Sequence, residues 1–207
     1  MRRGYFGGTF DPPHVGHLMV ASDAYDALQL DRLTFVPNAR QPLKADTPTA
    51  DPALRLEMLR RAVHGDPRFD VDPIEVDRGG ASYSVETLEQ LAAQHPDDTR
   101  VFLVGADVAR SFAQWRAPAR IMALAQVAVL RRAVEDGEAD DASILAPFQS
   151  FAATDAPAPV IVRTRRVDVS STEVRDRVRR GRPLTGFVPD AVARFIAEHG
   201  LYQSALP

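Results

Sequence analysis

Short stretches rich in β-forming residues alternate with stretches of helical periodicity along most of this chain. The strand-like stretches are RRGYF (2–6), RLTFVP (32–37), FDVDPIEV (69–76), RVFLVG (100–105), QVAVLRR (126–132) and PVIVRTRRVDV (159–169). Between them, HLMVASDAYDALQL, DPALRLEMLRRAVHG and SVETLEQLAAQH place apolar residues at helical spacing. Because strands joined through helices pair in parallel, this order predicts a Rossmann-like, doubly wound α/β fold with a mostly parallel sheet and helices on both faces.

The size and composition of the chain fit one globular domain. Its 207 residues are 45% hydrophobic and 26% charged, which is sufficient for a full hydrophobic core. We interpret residues 1–207 as a single domain with a variable surface excursion at about 133–158. That stretch mixes acidic, alanine and proline residues and has room for one short helix.

Charge and cysteine content exclude several kinds of function. The net charge is −3, so we expect no general attraction to nucleic acid or to an anionic membrane. The absence of cysteine excludes disulfides, a thiolate nucleophile and a cysteine-based zinc site. Polar residues interrupt the start of the chain and no apolar run reaches the length of a membrane span, so we expect a cytoplasmic protein.

The stretch GGTFDPPHVGH (7–17) occupies the turn after the first strand. It matches neither the G-x-G-x-x-G signature of dinucleotide binding nor the G-x-x-x-x-G-K-[ST] phosphate loop. Gly7 and Gly8 leave the end of the strand without side chains, and the following helix is expected to begin around His14–Val15. Parallel α/β proteins bind their ligands at this edge of the sheet, which makes the turn the first candidate site.

His14 and His17 are three residues apart at this helix start, so their side chains share one face. The first turn also presents unpaired N–H groups and the positive end of the helix dipole, and a phosphate bound there would gain amide and imidazole donors together. Gly16 would let a phosphate approach the backbone closely. The alternatives are ordinary surface histidines and a zinc pair, but zinc-binding histidines usually lie four apart and need a third ligand. We assign no residue to metal ligation.

A second candidate turn lies in RVDVSSTEVRDRVRRG (166–181). Ser170 and Glu173 fit a capping box, which explains both residues structurally. Arg175 is different, because a cation in the first turn opposes the helix dipole unless an anion is bound there. The hydroxyls of Ser171 and Thr172, together with this guanidinium, suit the end of a phosphate chain. Two helix N-termini at one sheet edge can clamp a single polyphosphate.

Both turns resemble motifs of one superfamily. GGTFDPPHVGH is similar to the GGTFDPxHxGH motif of the nucleotidyltransferases marked by [HT]xGH, and VSSTEVR is similar to their ISSTxxR motif. Within that superfamily the chain resembles the bacterial nicotinate-nucleotide adenylyltransferases. The stretches that carry this resemblance are FVPNARQPLK (35–44), VDRGGASYSVETL (76–88), VFLVGADVARSFAQW (101–115) and VLRR (129–132). It covers nearly the whole chain apart from about 133–158.

The resemblance implies a reaction in which ATP and nicotinate mononucleotide give deamido-NAD and pyrophosphate, with Mg²⁺ bound to the ATP phosphates. It implies that His14, His17 and Arg175 are catalytic, with Arg175 at the departing end of the triphosphate. Asp107 would accept hydrogen bonds from ribose hydroxyls, and a helix cap is the alternative for it. The implied ATP-binding residues are Gly7, Gly8, Thr9, Phe10, Asp11, His14, Gly16, His17, Gly105, Asp107, Ser171, Thr172 and Arg175.

The mononucleotide-binding residues that the resemblance implies are Lys44, Tyr83, Ser84, Trp115 and Arg132. The tryptophan ring could stack on a pyridine, and a place in the core is its alternative. Lys44 and Arg132 would neutralise the substrate phosphate, although an exposed cation is often only a solvated charge. Two positions depart from the family: Leu43 stands where histidine is common, and Ala133 follows Arg132 where the family commonly has RPG.

Three other functions stay open on the sequence. Phosphopantetheine adenylyltransferase shares both motifs, but it is typically shorter and lacks the SYS…TL and tryptophan stretches. An adenylyltransferase that prefers nicotinamide mononucleotide would differ only in the hydrogen-bond donors of its pocket. A non-catalytic nucleotide sensor would be favoured by the loss of either histidine or of Arg175, and all three residues are present.

Overall fold

A computed structural model describes residues 1–41, 50–132, 140–151 and 157–203. The strands are β1 (Arg2–Gly8), β2 (Arg32–Pro37), β3 (Phe69–Val71), β4 (Thr99–Gly105), β5 (Gln126–Arg132) and β6 (Val160–Thr164). The helices are α1 (Val15–Ala27), α2 (Pro52–Val63), α3 (Ile74–Arg78), α4 (Ser84–Gln94), α5 (Ala106–Ala109), α6 (Pro118–Leu124), α7 (Asp141–Gln149), α8 (Ser171–Arg179) and α9 (Asp190–Glu198), with a 3₁₀ turn at Phe112–Gln114.

The strands form one sheet in the order β3-β2-β1-β4-β5-β6, and every pair in it is parallel. This is the strand order of the dinucleotide-binding Rossmann sheet, so the predicted Rossmann-like fold is confirmed. The order reverses between β1 and β4: from β1 the chain moves outward to β2 and β3, and from β4 it moves outward to β5 and β6. A crevice therefore opens at the carboxyl ends of these two strands.

Both faces of the sheet are covered by apolar clusters. In β4, Phe102 and Val104 point into the cluster formed with α4 to α7, whereas Val101 and Leu103 point into the cluster formed with α1 and α2. A third cluster joins α2 to α8 and α9. Because both faces are buried, the central strands read as near-continuous apolar runs rather than as alternating ones.

Two predicted strands are too long. The stretch 69–76 pairs only over β3, because Pro73 has no N–H for the ladder and Asp72 instead accepts a hydrogen bond from Ile74 N (2.9 Å) to begin α3. The stretch 159–169 pairs only over β6. Beyond it, the backbone N–H of Arg165 donates to the Asp23 carboxylate of α1 (2.7 Å) instead of to a neighbouring strand.

Helix α7 lies within the stretch that the sequence analysis interprets as a surface excursion. Its Ile144 and Phe148 are buried, and the Phe148 ring lies 4.4 Å from that of Phe112 between the ring centroids. This helix therefore packs on the core, with Asp140 as its N-cap. In the part of the chain that the structure describes, the helices are too short or too polar to cross a membrane.

Truncation of Leu103 tests the packing of the central strand. Leu103 is 1% exposed and lies between β1 and β5, so Leu103→Ala removes buried contacts and leaves a cavity. We expect the free energy of unfolding to fall by about 2–5 kcal/mol, measured by urea titration. The control is Met19→Ala, at a position that is 41% exposed, for which a change of about 0.5 kcal/mol or less is expected. Equal losses in the two variants would contradict this description of the core.

Candidate active site

The site lies where β1 and β4 end side by side. From β1 the chain enters α1 on one face of the sheet, and from β4 it enters α5 on the other, so the crevice between them is left uncovered. At Gly105 an added Cβ would meet no atom within 4 Å, so the end of β4 borders open space. At Gly8 an added Cβ would lie 2.8 Å from the ring of Phe10, so glycine is required there for that ring to fold back over the strand.

His14 and His17 lie face to face at the start of α1. His14 is the N-cap residue, and its backbone N–H donates to Nδ1 of His17 (3.2 Å). The two ring centroids are 3.7 Å apart with the planes at 28°. The His17 ring also makes a T-shaped contact with Phe10, with the ring centroids 5.0 Å apart. The i, i+3 spacing thus brings both imidazoles to one face of the first turn, as the sequence predicts.

Gly16 has a packing role beside the ring of His14. A Cβ at this position would lie 3.0 Å from both Cε1 and Nδ1 of the His14 ring and 3.5 Å from a methyl group of Val167. The glycine is therefore needed to make room for the His14 imidazole against α1. Its predicted role in the close approach of a phosphate to the backbone stays a prediction.

Burial and a nearby cation keep both imidazoles neutral. Burial, together with the charge of Arg132, lowers the pKa of His14 from 6.5 to about 4. Burial lowers the pKa of His17 well below 6.5 as well, with further contributions from His14 and Arg132. Because Nδ1 of His17 accepts a hydrogen bond, the neutral ring carries its proton on Nε2, which is left as a donor. Nδ1 of His14 is buried and has no hydrogen-bond partner among the described residues.

The second candidate turn is attached directly to the first. Arg175 of α8 donates from Nη1 to the carbonyl of Asp11 (2.7 Å) and from Nη2 to Oγ1 of Thr172 (3.2 Å). The Ser171 hydroxyl donates to the carbonyl of Pro12 (2.9 Å). The two helix N-termini thus meet at one sheet edge, as the sequence predicts for a shared polyphosphate site. Ser171 and Arg175 also fasten the first turn, which sequence reasoning did not foresee.

The structure shows one half of the capping box predicted for α8, the half formed by Ser170. The side-chain hydroxyl of Ser170 accepts a hydrogen bond from the backbone N–H of Glu173 (3.1 Å). This contact satisfies one of the free N–H groups at the start of the helix. The Ser171 hydroxyl instead binds Pro12, and Thr172 and Arg175, the second and fifth residues of α8, are hydrogen-bonded to each other. Arg175 thus follows the first turn, in which the sequence placed it.

Three of the residues implied for the mononucleotide, Tyr83, Ser84 and Trp115, lie on the α4 to α6 side of the crevice. Tyr83 is the N-cap residue of α4 and Ser84 its first helical residue, and the Arg116 guanidinium lies 4.9 Å from the centroid of the Tyr83 ring. Trp115 is half-buried, 5.4 Å from Phe112 between ring centroids, and its indole N–H donates to Ser111 Oγ (3.2 Å). One part of this indole therefore belongs to the core.

The remaining implied residues are exposed or lie outside the described residues. Asp107 is exposed in the first turn of α5, where the N-cap position belongs to Gly105. Arg132 is exposed at the end of β5, and its charge acts on both imidazoles. Lys44 lies outside the described residues, as do the two departures from the family at Leu43 and Ala133. Among the described residues, no three His, Asp or Glu side chains converge to hold a metal ion.

Arg55 contacts the site and was missed by sequence reasoning. Its side chain is 0% exposed and donates to four backbone carbonyls: Thr9 (2.7 Å), Asn38 (2.8 Å), Ala39 (3.0 Å) and Ala50 (3.0 Å). In the sequence it resembles the other arginines of α2. One signal was available: Met58 and Leu59, at i+3 and i+4 from it, are core residues, so Arg55 lies on the apolar face of its helix.

The sequence matches the family described as cytidylyltransferase-like over residues 5–177. A protein of Gemmatimonas aurantiaca named probable nicotinate-nucleotide adenylyltransferase is 44% identical over 203 residues, which cover 98% of this chain and 93% of that protein. One of Thermus thermophilus with the same name is 39% identical over 204 residues, covering 98% and 100%. The Plasmodium falciparum nicotinic acid mononucleotide adenylyltransferase complexed with NaAD superposes with a TM-score of 0.76 over 97% of both chains. At 16% identity, that match establishes the fold alone.

The depressed pKa values of the two histidines predict acid sensitivity. As the pH falls below about 6.5, the unfolded chain protonates these histidines before the folded chain does, so stability falls by up to ~1.4 kcal/mol per pH unit for each of them. For His14 this loss ends near its folded pKa of about 4. We therefore expect His14→Gln to flatten the dependence of the unfolding free energy on pH between 6.5 and 4.5, measured by urea titration.

The matched control for this titration is His64→Gln, which removes an exposed imidazole away from the site. We expect the control to keep the slope of the parent chain. Identical slopes for the parent and His14→Gln would show that His14 is not held neutral by its surroundings.

Proposed function

The chain belongs to the cytidylyltransferase-like family and, within it, to the nicotinate-nucleotide adenylyltransferases, and we propose that it transfers AMP from ATP to nicotinate mononucleotide. It is a nucleotidyltransferase, and its products in NAD biosynthesis are deamido-NAD and pyrophosphate. One observation carries the site assignment: two neutral, stacked imidazoles lie at the start of α1, and the guanidinium of Arg175 binds the turn that leads to them.

The reaction is an in-line displacement at phosphorus. A phosphate oxygen of the mononucleotide forms a bond to the α-phosphorus of ATP, and the bond from that phosphorus to the bridging oxygen of pyrophosphate breaks with its electrons on the leaving oxygen. The attacking phosphate is already ionised at neutral pH, so the protein need not remove a proton. Its work is to orient the two phosphates and to stabilise the charge that builds up between them.

The ATP phosphates would occupy the crevice at the start of α1. There the free N–H groups of the helix, Nε2–H of His17 and the ring of His14 offer neutral donors around the α-phosphate. A neutral imidazole is suited to this role, because it donates a hydrogen bond without giving up a proton. Thr172 and Arg175, with the N-terminus of α8, would hold the departing β,γ end.

The sugars and the mononucleotide would occupy the β4 side of the crevice. Gly105 leaves space there, and Asp107 can accept hydrogen bonds from ribose hydroxyls. Tyr83, Ser84 and the exposed part of Trp115 would contact the pyridine and its carboxylate. Arg132, with Lys44, would neutralise the mononucleotide phosphate.

Magnesium would bind together with ATP rather than at a site formed by the protein alone. The described residues do not form a carboxylate cage, and Mg²⁺ is commonly held by substrate phosphates with one or two carboxylates. When bound it would neutralise phosphate charge, and Asp107 is the exposed carboxylate nearest in sequence to the end of β4. We propose that the protein is cytoplasmic, as expected from the sequence, because ATP is available there.

The test of the function is pyrophosphate release from ATP with three acceptors offered separately. With nicotinate mononucleotide we expect rapid release, because a carboxylate-bearing pyridine is the substrate named for the curated relatives. Nicotinamide mononucleotide and phosphopantetheine are the comparison acceptors, and slower release is expected with both. Faster release with either would reassign the acceptor, and no release with any of them would indicate a nucleotide sensor.

Removal of the His17 ring tests the charge-stabilising role. His17→Ala should lower turnover about a hundredfold or more, because one such donor contributes ~3 kcal/mol to lowering the barrier. Turnover is measured by pyrophosphate release at saturating substrates, and circular dichroism checks that the variant is folded. His64→Ala, at an exposed position, is the control and should retain the parent rate. Near-normal turnover in folded His17→Ala would refute the role.

A further inference from the structure

The carboxylate of Asp11 is buried in the turn between β1 and α1 and is held by the C-terminal part of the chain. Asp11 is 4% exposed. Its Oδ1 accepts a hydrogen bond from the hydroxyl of Tyr202 (2.6 Å), which follows α9, and a longer one from the backbone N–H of Ala50 (3.2 Å). A buried carboxylate is costly without such partners, so these contacts determine where Asp11 lies.

Arg55 completes the surroundings of this carboxylate. Its guanidinium interacts electrostatically with both Asp11 and Tyr202, while its N–H groups bind carbonyls of the first turn and of the segment after β2. The Thr9 and Asn38 side chains are also hydrogen-bonded to each other (3.1 Å). The turn that leads to His14 is thus bound on one side to α2 and on another to the end of the chain.

The backbone conformation of Tyr202 indicates that the surrounding structure holds this residue in one position. Its φ is +62°, a left-handed conformation that non-glycine residues seldom adopt. This conformation follows α9, whose Phe195 and Ile196 are buried against α2, and the N–H of Leu201 donates to the carbonyl of Ile196 (3.0 Å). The segment that carries Tyr202 is therefore anchored to α9. This anchoring positions the tyrosine hydroxyl against the Asp11 carboxylate.

The same turn has a second anchor in Arg175, which binds the Asp11 carbonyl while Tyr202 binds the Asp11 side chain. Three residues further along the chain is His14, the N-cap of α1, with its ring stacked on His17. A shift of Asp11 would therefore displace His14, three residues along the backbone, and with it the stacked ring of His17.

We propose that Tyr202 is a positioning residue for the adenylyl transfer, which with Arg55 holds Asp11 so that His14 and His17 face the α-phosphate. It touches neither substrate, and it acts through the geometry of the turn. The inference rests on the proposed function, because positioning is defined here by its effect on turnover.

The test is Tyr202→Phe, which removes the hydroxyl and keeps the ring. We expect kcat to fall about 10- to 100-fold, because small displacements of reacting groups have effects of this size. The KM for the mononucleotide should stay within about twofold of the parent value, since Tyr83, Ser84 and Trp115, which we propose for its pyridine, lie on the α4 to α6 side of the crevice. Measurements are made at a temperature where circular dichroism shows the variant to be folded.

The matched control is Tyr5→Phe. The hydroxyl of Tyr5 is also buried, on β1, but it has no hydrogen-bond partner among the described residues. Its removal should leave kcat and the midpoint of thermal unfolding close to those of the parent chain. Arg55→Lys, which keeps the charge but cannot reach all four carbonyls, should reproduce the fall in kcat.

The outcomes separate the inference from the function on which it rests. A parent chain that releases pyrophosphate, with Tyr202→Phe as active as Tyr5→Phe, overturns the positioning role whether or not stability falls. A lower melting temperature with unchanged kcat would likewise assign Tyr202 to stability alone. If the parent chain releases no pyrophosphate with any acceptor, the proposed function fails, and the inference fails with it.

Discussion

The turn between β1 and α1 is held in place by side chains that reach it from other parts of the chain. Arg55 binds it from α2, Arg175 and Ser171 bind it from α8, and Tyr202 binds it from the segment after α9. Each contact joins residues far apart in sequence, so the turn acquires its shape only when the sheet, α8 and α9 have all packed. The geometry of the two histidines depends on this shape.

The chemistry of the site follows from the same packing. Burial and the charge of Arg132 depress the pKa of both imidazoles, and the hydrogen bond from the His14 backbone selects the tautomer of His17. The result is a pair of neutral donors next to a helix N-terminus, in a place where water is partly excluded. Such preorganised donors stabilise developing charge on a phosphoryl group without having to reorient during the reaction.

The fold tolerates extensive change in sequence. A solved structure at 16% identity superposes over 97% of both chains with a TM-score of 0.76, so the sheet and its connections persist when most side chains differ. This is expected when the fold is encoded by the alternation of apolar strands and amphipathic helices rather than by particular residues.

The sequence by itself determined the strand and helix order, the parallel sheet and the two turns at its edge. These features are local or periodic, so they can be read from neighbouring residues. It did not locate the ends of β3 and β6, because Asp72 with Pro73 and Asp23 with Arg165 end the ladders through contacts that a pattern of apolar residues does not encode. The roles of Gly16, Arg55 and Tyr202 were decided only by the tertiary structure. The buried guanidinium of Arg55 and the Tyr202 hydroxyl that binds Asp11 have partners distant in sequence, and only packing brings them within reach. Gly16 lies two residues from His14, but the placement of the His14 ring against it depends on the folded turn.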